Sequence, residues 1–123
     1  MDQLIIPSGE TIKTLKNVIR MLDNPNCLAI VKYLIEHGAS NISTIADDPE
    51  VTIPYRTLQT NQYYLMKNGL VEYREDTDLD DRKVIWFTPI AELSVKSIQA
   101  YEQTINQFLL NKKLPKKDGT RFR

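Results

Sequence analysis

The chain is short of most of what reactive sites are built from. It has one cysteine, Cys27, and one histidine, His37, among 123 residues. An intrachain disulfide framework is therefore excluded, and no cysteine and histidine cluster has metal-ligand spacing. Apolar runs stop after a few residues, as in Val84–Phe87, whereas a membrane-spanning helix needs about 20. The opening "MDQLIIPSGE" lacks the basic region and long apolar segment of a secretory signal. These absences lead us to expect a protein of the reducing cytoplasm with no membrane association. Nor is there a nucleophile paired with a base, a phosphate-cradling glycine loop or a paired-carboxylate signature. Asp47-Asp48 and Asp80-Asp81 are adjacent residues in turns and need no catalytic explanation. No enzyme activity, metal or cofactor is expected.

Net charge is also missing: 16 basic residues balance 16 acidic ones. The balance is uneven along the chain. From Asn111 to Arg123, six basic residues (Lys112, Lys113, Lys116, Lys117, Arg121 and Arg123) face Asp118 alone, a net +5, which leaves −5 for the rest. What is present is ordinary: 41% hydrophobic and 26% charged residues, in a length that supports one core. We expect a folded domain over residues 1–110, including a last helix from about 89 to 110, and a basic tail over residues 111–123.

Periodicity gives the elements. Ser8 caps a helix to Leu22 with Ile12, Leu15, Val18, Ile19 and Leu22 on one face. "DNPN" breaks it, and Asn24-Pro25 pairs a cap with a proline at the first helical position, opening a second helix. That helix is expected to bury Leu28, Val31, Leu34 and Ile35, with Cys27 or Ile30 beside them, and to end at Gly38 in a left-handed cap. "SNISTIADDPE" gives a short third helix around Ile42, Ile45 and Ala46, closed by Pro49. A fourth opens at Thr52 or Ile53, with an early Pro54, and runs to Asn68-Gly69. Leu70–Glu75 and Arg82–Thr88 read as two strands around the polar turn "DTDLDD", the second rich in strand-forming residues. After Pro89 a long amphipathic helix carries Ile98, Tyr101, Ile105 and Phe108 at spacings of three and four. The order is mainly α with one small β-hairpin. Two helices joined by a tight turn, then a hairpin, form a winged helix-turn-helix.

Local motifs carry a resemblance. "LDNPNCLAIVKYL" (Leu22–Leu34) resembles the opening of ArsR-type regulators, although Cys27 stands where that family has an arginine. "ISTIADD" resembles the first helix of the helix-turn-helix in both ArsR and MarR regulators. "RTLQTNQYYLMKNGLVEYRED" resembles their recognition helix and its exit, with Leu65, Gly69, Leu70 and Val71 in the corresponding places. "DLDDRK" is similar to the MarR wing, and "FTP" (Phe87–Pro89) to the segment that leaves that wing. Ile90 and Ala91 then stand where that family has a glycine. The resemblance covers roughly the first three quarters of the chain. It implies a homodimeric transcriptional regulator, a repressor, that binds double-stranded DNA and answers in some cases to a small-molecule effector.

The residues themselves supply a candidate surface. Leu58 and Leu65, two turns apart, face inward, and Tyr55, Arg56, Gln59, Thr60 and Tyr63 fall on the other side. Arginine suits guanine, glutamine suits adenine, and threonine and tyrosine reach phosphate or a thymine methyl. An ordinary solvated face would carry lysine and glutamate. Asn61 and Gln62 lie between the leucines and need partners inside. In the resembling wing an arginine enters the minor groove while an aspartate orients it, which implies those roles for Arg82 and for Asp78 or Asp81, with Lys83 on phosphate. Against this, Glu72–Lys83 holds six acidic and three basic residues, so the hairpin repels DNA at long range. The tail is either a DNA-binding arm or a solubilising end. The stripe Ile98, Tyr101, Ile105 and Phe108 is assigned to dimerisation, an interface that Ile12, Leu15 and Ile19 of the first helix could join; the alternative is packing back on the chain's own core. ArsR-type sensors place cysteines on the first helix of the helix-turn-helix, or histidine and aspartate on the last helix, and this sequence has neither. His37 reads as a capping or surface residue, and Cys27 as a small buried hydrophobe or an exposed thiol sensor. The rival to DNA binding is a winged-helix module that binds protein.

Overall fold

The computed structural model describes residues 4–77 and 81–113. Among these residues the elements run in the order α1 (Gly9–Leu22), α2 (Pro25–His37), α3 (Ile42–Asp47), α4 (Tyr55–Lys67), β1 (Val71–Thr77), β2 (Lys83–Phe87) and α5 (Pro89–Lys113). This is the expected winged helix-turn-helix, with a two-stranded antiparallel hairpin and a long last helix. The chain divides into two compact units, Met1–Glu92 and Leu93–Arg123.

Caps written in the sequence start the first three helices. The Ser8 hydroxyl accepts from the Thr11 amide at 3.2 Å. Asn24 Oδ1 accepts from the amides of Asn26 and Cys27 at 2.9 and 3.3 Å, with Pro25 in the first turn. Asn41 Oδ1 takes the Ser43 amide at 2.7 Å and opens α3. Each bond satisfies a donor that the first helical turn leaves without an intrahelical partner. Helix α4 differs from expectation: Pro54 is its N-cap and the first helical residue is Tyr55. Proline has no side-chain acceptor, so this start has no cap bond.

The core of the first unit comes from faces of α1–α4 and the hairpin. On α2 the buried residues are Cys27, Ile30, Val31 and Leu34, which share one face at i, i+3, i+4 and i+7. Leu28 and Ile35, expected inside, are 37% and 43% exposed. On α1, Val18 and Met21 are buried while Ile12, Leu15 and Ile19 are exposed. Helix α4 packs on α2 and α3, and α1 packs on α2. Leu58 and Leu65 of α4 are fully buried, as the sequence required.

The strands are offset by a residue or two from the expected ranges, Leu70–Glu75 and Arg82–Thr88. Pairing runs from Val71↔Phe87 to Arg74↔Val84, then slips so that Thr77 faces Lys83. A bridge between Ser40 and Ile85 adds a single antiparallel rung on the other edge of β2. The "FTP" motif has a physical reason. Phe87 is buried, the Thr88 hydroxyl donates to the Gly69 carbonyl at 2.8 Å and accepts the Ala91 amide at 3.2 Å, and Pro89 begins α5. One threonine thus closes the base of the hairpin and caps the last helix.

Gly38 ends α2 at φ 85°, ψ −171°, a positive φ as expected but outside the left-handed helical basin. That region is almost exclusive to glycine. A Cβ there would meet no atom within 4 Å, so the penalty for a side chain is purely conformational. Gly38→Ala is expected to lower unfolding free energy by about 1–3 kcal/mol, read from urea denaturation with an unchanged m-value. A loss under half a kilocalorie would show that the backbone relaxes there.

Candidate nucleic-acid interface

Helix α4 presents two opposed faces. At about 100° per residue, Leu58 and Leu65 point one way, while Arg56, Gln59, Thr60 and Tyr63 cluster opposite them. Arg56, Gln59, Thr60 and Tyr63 are all exposed, as is Tyr55 in the first turn. Tyr63 is 65% exposed, though a free tyrosine ring has apolar surface to hide. The Thr60 hydroxyl donates to the Arg56 carbonyl at 3.1 Å; its oxygen keeps lone pairs for an incoming donor. One residue of this stripe was not anticipated from the sequence. Lys67, exposed in the last turn, lies four residues beyond Tyr63, and that spacing was the available signal.

The two polar residues flanking the inward leucines have found partners. Asn61 and Gln62 are each 7% exposed. Asn61 Nδ2 donates to the Thr57 carbonyl at 2.8 Å, and its Oδ1 accepts from the Cys27 thiol at 3.4 Å. Gln62 Nε2 lies 3.3 Å from Tyr73 Oη and 3.7 Å from Met66 Sδ. These contacts hold the rotation of α4 and so aim its outer face. A buried amide without them would cost about 1–3 kcal/mol.

Cys27 is the buried residue and not the exposed sensor. It is 0% exposed, and burial pushes its thiol above the ordinary range. Few molecules hold the reactive thiolate at neutral pH. We expect iodoacetamide to modify native Cys27 at least about a hundredfold more slowly than the chain in urea, since reaction must await opening of the core. Labelling at comparable rates would place the thiol at the surface. His37 stacks on Tyr33, four residues earlier, with centroids 4.2 Å apart and planes 28° apart. Burial first, and Asp48's charge second, raise the Tyr33 phenol above its ordinary value. Among the described residues no three His, Cys, Asp or Glu side chains gather in a metal-holding group.

The exit from α4 aims the wing. Leu70's amide reaches the Leu65 carbonyl at 2.9 Å and Gly69's reaches that of Met66 at 3.0 Å, with Gly69 at φ 76°. This is the double-bonded glycine ending of a helix, with Leu70 and Leu65 both buried beneath it. The chain turns directly into β1. On the returning side Lys83 is exposed and Arg82 is half-buried, with an interaction inside the protein. Asp81 is exposed and sits at φ 64°, a conformation that aspartate tolerates better than most residues. Asp78 lies outside the described residues.

The polar stripe of α4, its glycine-closed exit and the hairpin therefore stand in one continuous arrangement. A solved MarR family regulator from Neisseria meningitidis superposes on this chain with a TM-score of 0.53, over 85% of this chain and 75% of that one, at 19% sequence identity. This chain has that regulator's winged-helix fold. No family model matches the sequence, and no curated protein matches it either. In the winged helix, α3 and α4 take the places of the helix-turn-helix and the β1–β2 hairpin that of the wing.

In the second unit α5 carries a run of exposed apolar residues after the buried Val95. Tyr101, Ile105 and Phe108 are 66%, 42% and 62% exposed, and Ile98 is half-buried. Leu109 and Leu110 add two more exposed side chains. The helix continues to Lys113, beyond the expected end near 110, so Lys112 belongs to it and lies 5.8 Å above the Phe108 ring. Residues 114–123 of the basic tail lie outside the described residues. No helix among the described residues is long and apolar enough to cross a membrane.

Proposed function

We propose that the protein is a cytoplasmic, non-enzymatic transcriptional regulator, a repressor, that binds double-stranded DNA sequence-specifically as a homodimer. The observation that carries this reading is the outer face of α4. Arg56, Gln59, Thr60 and Tyr63 are hydrogen-bonding groups of low net charge, presented outward on a helix whose other face is locked by Leu58 and Leu65. Base edges in the major groove are read by such side chains. Arg56 and Gln59 would recognise bases, while Tyr55, Thr60 and Tyr63 contact backbone or methyl groups. The wing would lie along the minor groove with Lys83 on phosphate and Arg82 turned toward it. The exposed stripe on α5 would close against a second copy. That pairing sets two recognition helices for a palindromic site.

The acidic wing favours one alternative, a winged-helix module that binds a protein partner, because negative charge at the groove opposes DNA. Fluorescence anisotropy separates the two. The wild type and Arg56→Ala are titrated, at two salt concentrations, with DNA from upstream of the protein's own gene. The expected result is tight wild-type binding that weakens with salt and a loss of about 5–150-fold on removing Arg56, the range for one bidentate base contact. Absence of binding by either protein at low salt would transfer the case to the protein-binding module.

A further inference from the structure

We infer that two side-chain ties fix the angle of the wing against the helix-turn-helix, with Gln62 and Asn41 as the positioning residues. The inference rests on the reading of α4 and the hairpin as one nucleic-acid surface. Each helix of the helix-turn-helix holds one strand of the hairpin. From α4, Gln62 Nε2 donates to Tyr73 Oη on β1 at 3.3 Å. From the start of α3, Asn41 Nδ2 donates to the Lys83 carbonyl on β2 at 3.1 Å. Two residues further along β2, Ile85 exchanges both backbone bonds with Ser40, at 2.9 and 3.3 Å.

Neither side chain is needed in this form by its own helix. Gln62 is nearly buried beside the leucine face of α4, where leucine or methionine would pack without desolvating an amide. Its donors are turned to groups other than the α4 backbone: the Met66 sulfur within the helix and Tyr73 outside it. Tyr73 is 52% exposed, so burial alone does not hold its ring, and the hydroxyl is its anchor. Asn41 caps α3 through Oδ1 alone; its amide nitrogen is left to serve the wing. Aspartate would cap equally well, and the nitrogen is what the strand uses.

A two-stranded hairpin is marginal by itself. Its direction is set by what touches its sides. The Gln62 tie falls within the regular part of the pairing, at Tyr73↔Ile85, and the Asn41 tie holds Lys83, which pairs with Thr77 beyond the slip. The hairpin is thus held on both strands, on β1 through Tyr73 and on β2 as far out as Lys83. A recognition helix in one groove and a wing in the next need that angle to be fixed before binding, because an ordered wing costs no entropy at encounter.

The full-length chain carries the test. Tyr73→Phe removes only a hydroxyl, and Asn41→Asp keeps the cap on Ser43 while deleting the donor to Lys83. The first readout is wing orientation in the free protein. Residual dipolar couplings of the β1 and β2 amides are measured relative to those of α4, with the emission anisotropy of Trp86, the single tryptophan and a β2 residue. The double variant should keep the α4 couplings and the thermal midpoint to within a few degrees, while the hairpin couplings change together. The second readout is DNA affinity, which should fall on the order of tenfold for two lost hydrogen bonds. Lys83→Ala should then cost less in the double variant than in the wild type. Hairpin couplings identical to the wild type overturn the proposal. If the wild type binds no DNA, the nucleic-acid reading fails and the couplings alone decide whether the ties exist.

Discussion

Shortening Leu65 to alanine is expected to lower the unfolding free energy by about 2–5 kcal/mol, the range for a buried leucine that leaves a cavity. Leu65 is 0% exposed and sits at the third residue from the end of α4, where its carbonyl takes the Leu70 amide. Alanine would vacate space beneath both the helix end and Leu70, which is itself buried. Backbone bonding at that turn limits how far the surroundings can collapse into the gap, which favours the upper part of the range. Small domains unfold with only about 5–15 kcal/mol in total, so the variant would be partly unfolded near physiological temperature. Urea denaturation followed by circular dichroism measures the loss. The control is Tyr63→Ala on the same helix, 65% exposed, which should change stability by about 0.5 kcal/mol or less. Equal losses at the two positions would contradict the assignment of inner and outer faces of α4, and with it the candidate interface.

The second large effect concerns the long helix. Ile105→Glu with Phe108→Glu is expected to convert the protein from dimer to monomer and to weaken binding to a two-half-site DNA by about 10²–10⁴-fold, the gain that linkage of two sites provides. Both side chains are exposed on α5, 42% and 62% respectively. Charge at these positions would leave the isolated chain folded while forbidding their burial against a second copy, since an unpaired buried carboxylate costs several kilocalories. Analytical ultracentrifugation gives the assembly state directly. Binding to a DNA carrying one half-site should change little, which separates loss of pairing from loss of reading. A variant that remains dimeric would move the interface elsewhere, with Ile12, Leu15 and Ile19 of α1 as the exposed apolar stripe available in the first unit. A monomeric wild type would remove the dimer from the proposed function altogether.

Local chemistry made much of this chain legible. Ser8, Asn24 and Pro25 start helices because a cap or a fixed φ acts within three residues of itself. Gly38 and Gly69 end helices because only glycine enters positive φ without penalty. Leu58 and Leu65 lie inside because their spacing matches one face of α4 and their neighbours at Arg56, Gln59 and Tyr63 cannot be buried cheaply. The faces of α1 and α2 were less legible. On α2, apolar residues stand at Cys27, Leu28, Ile30, Val31, Leu34 and Ile35, an arc wider than any single buried face. Sequence pattern alone does not choose its centre.

That choice belongs to packing. With α1 and α4 against it, α2 turns Cys27 and Ile30 fully inward and leaves Leu28 and Ile35 partly in water. Only then does the Cys27 thiol meet Asn61, 34 positions away, and only in the folded chain does Gln62 reach Tyr73 or Asn41 reach Lys83. Element order, most helix ends and the outward side of α4 could be read from the residues because each is settled within one or two helical turns. The rotation of α2, the fate of the cysteine and the polar contacts that aim α4 and the wing had to await the folded chain. Those depend on which groups distant in sequence arrive together, and a one-dimensional pattern carries no distance between them.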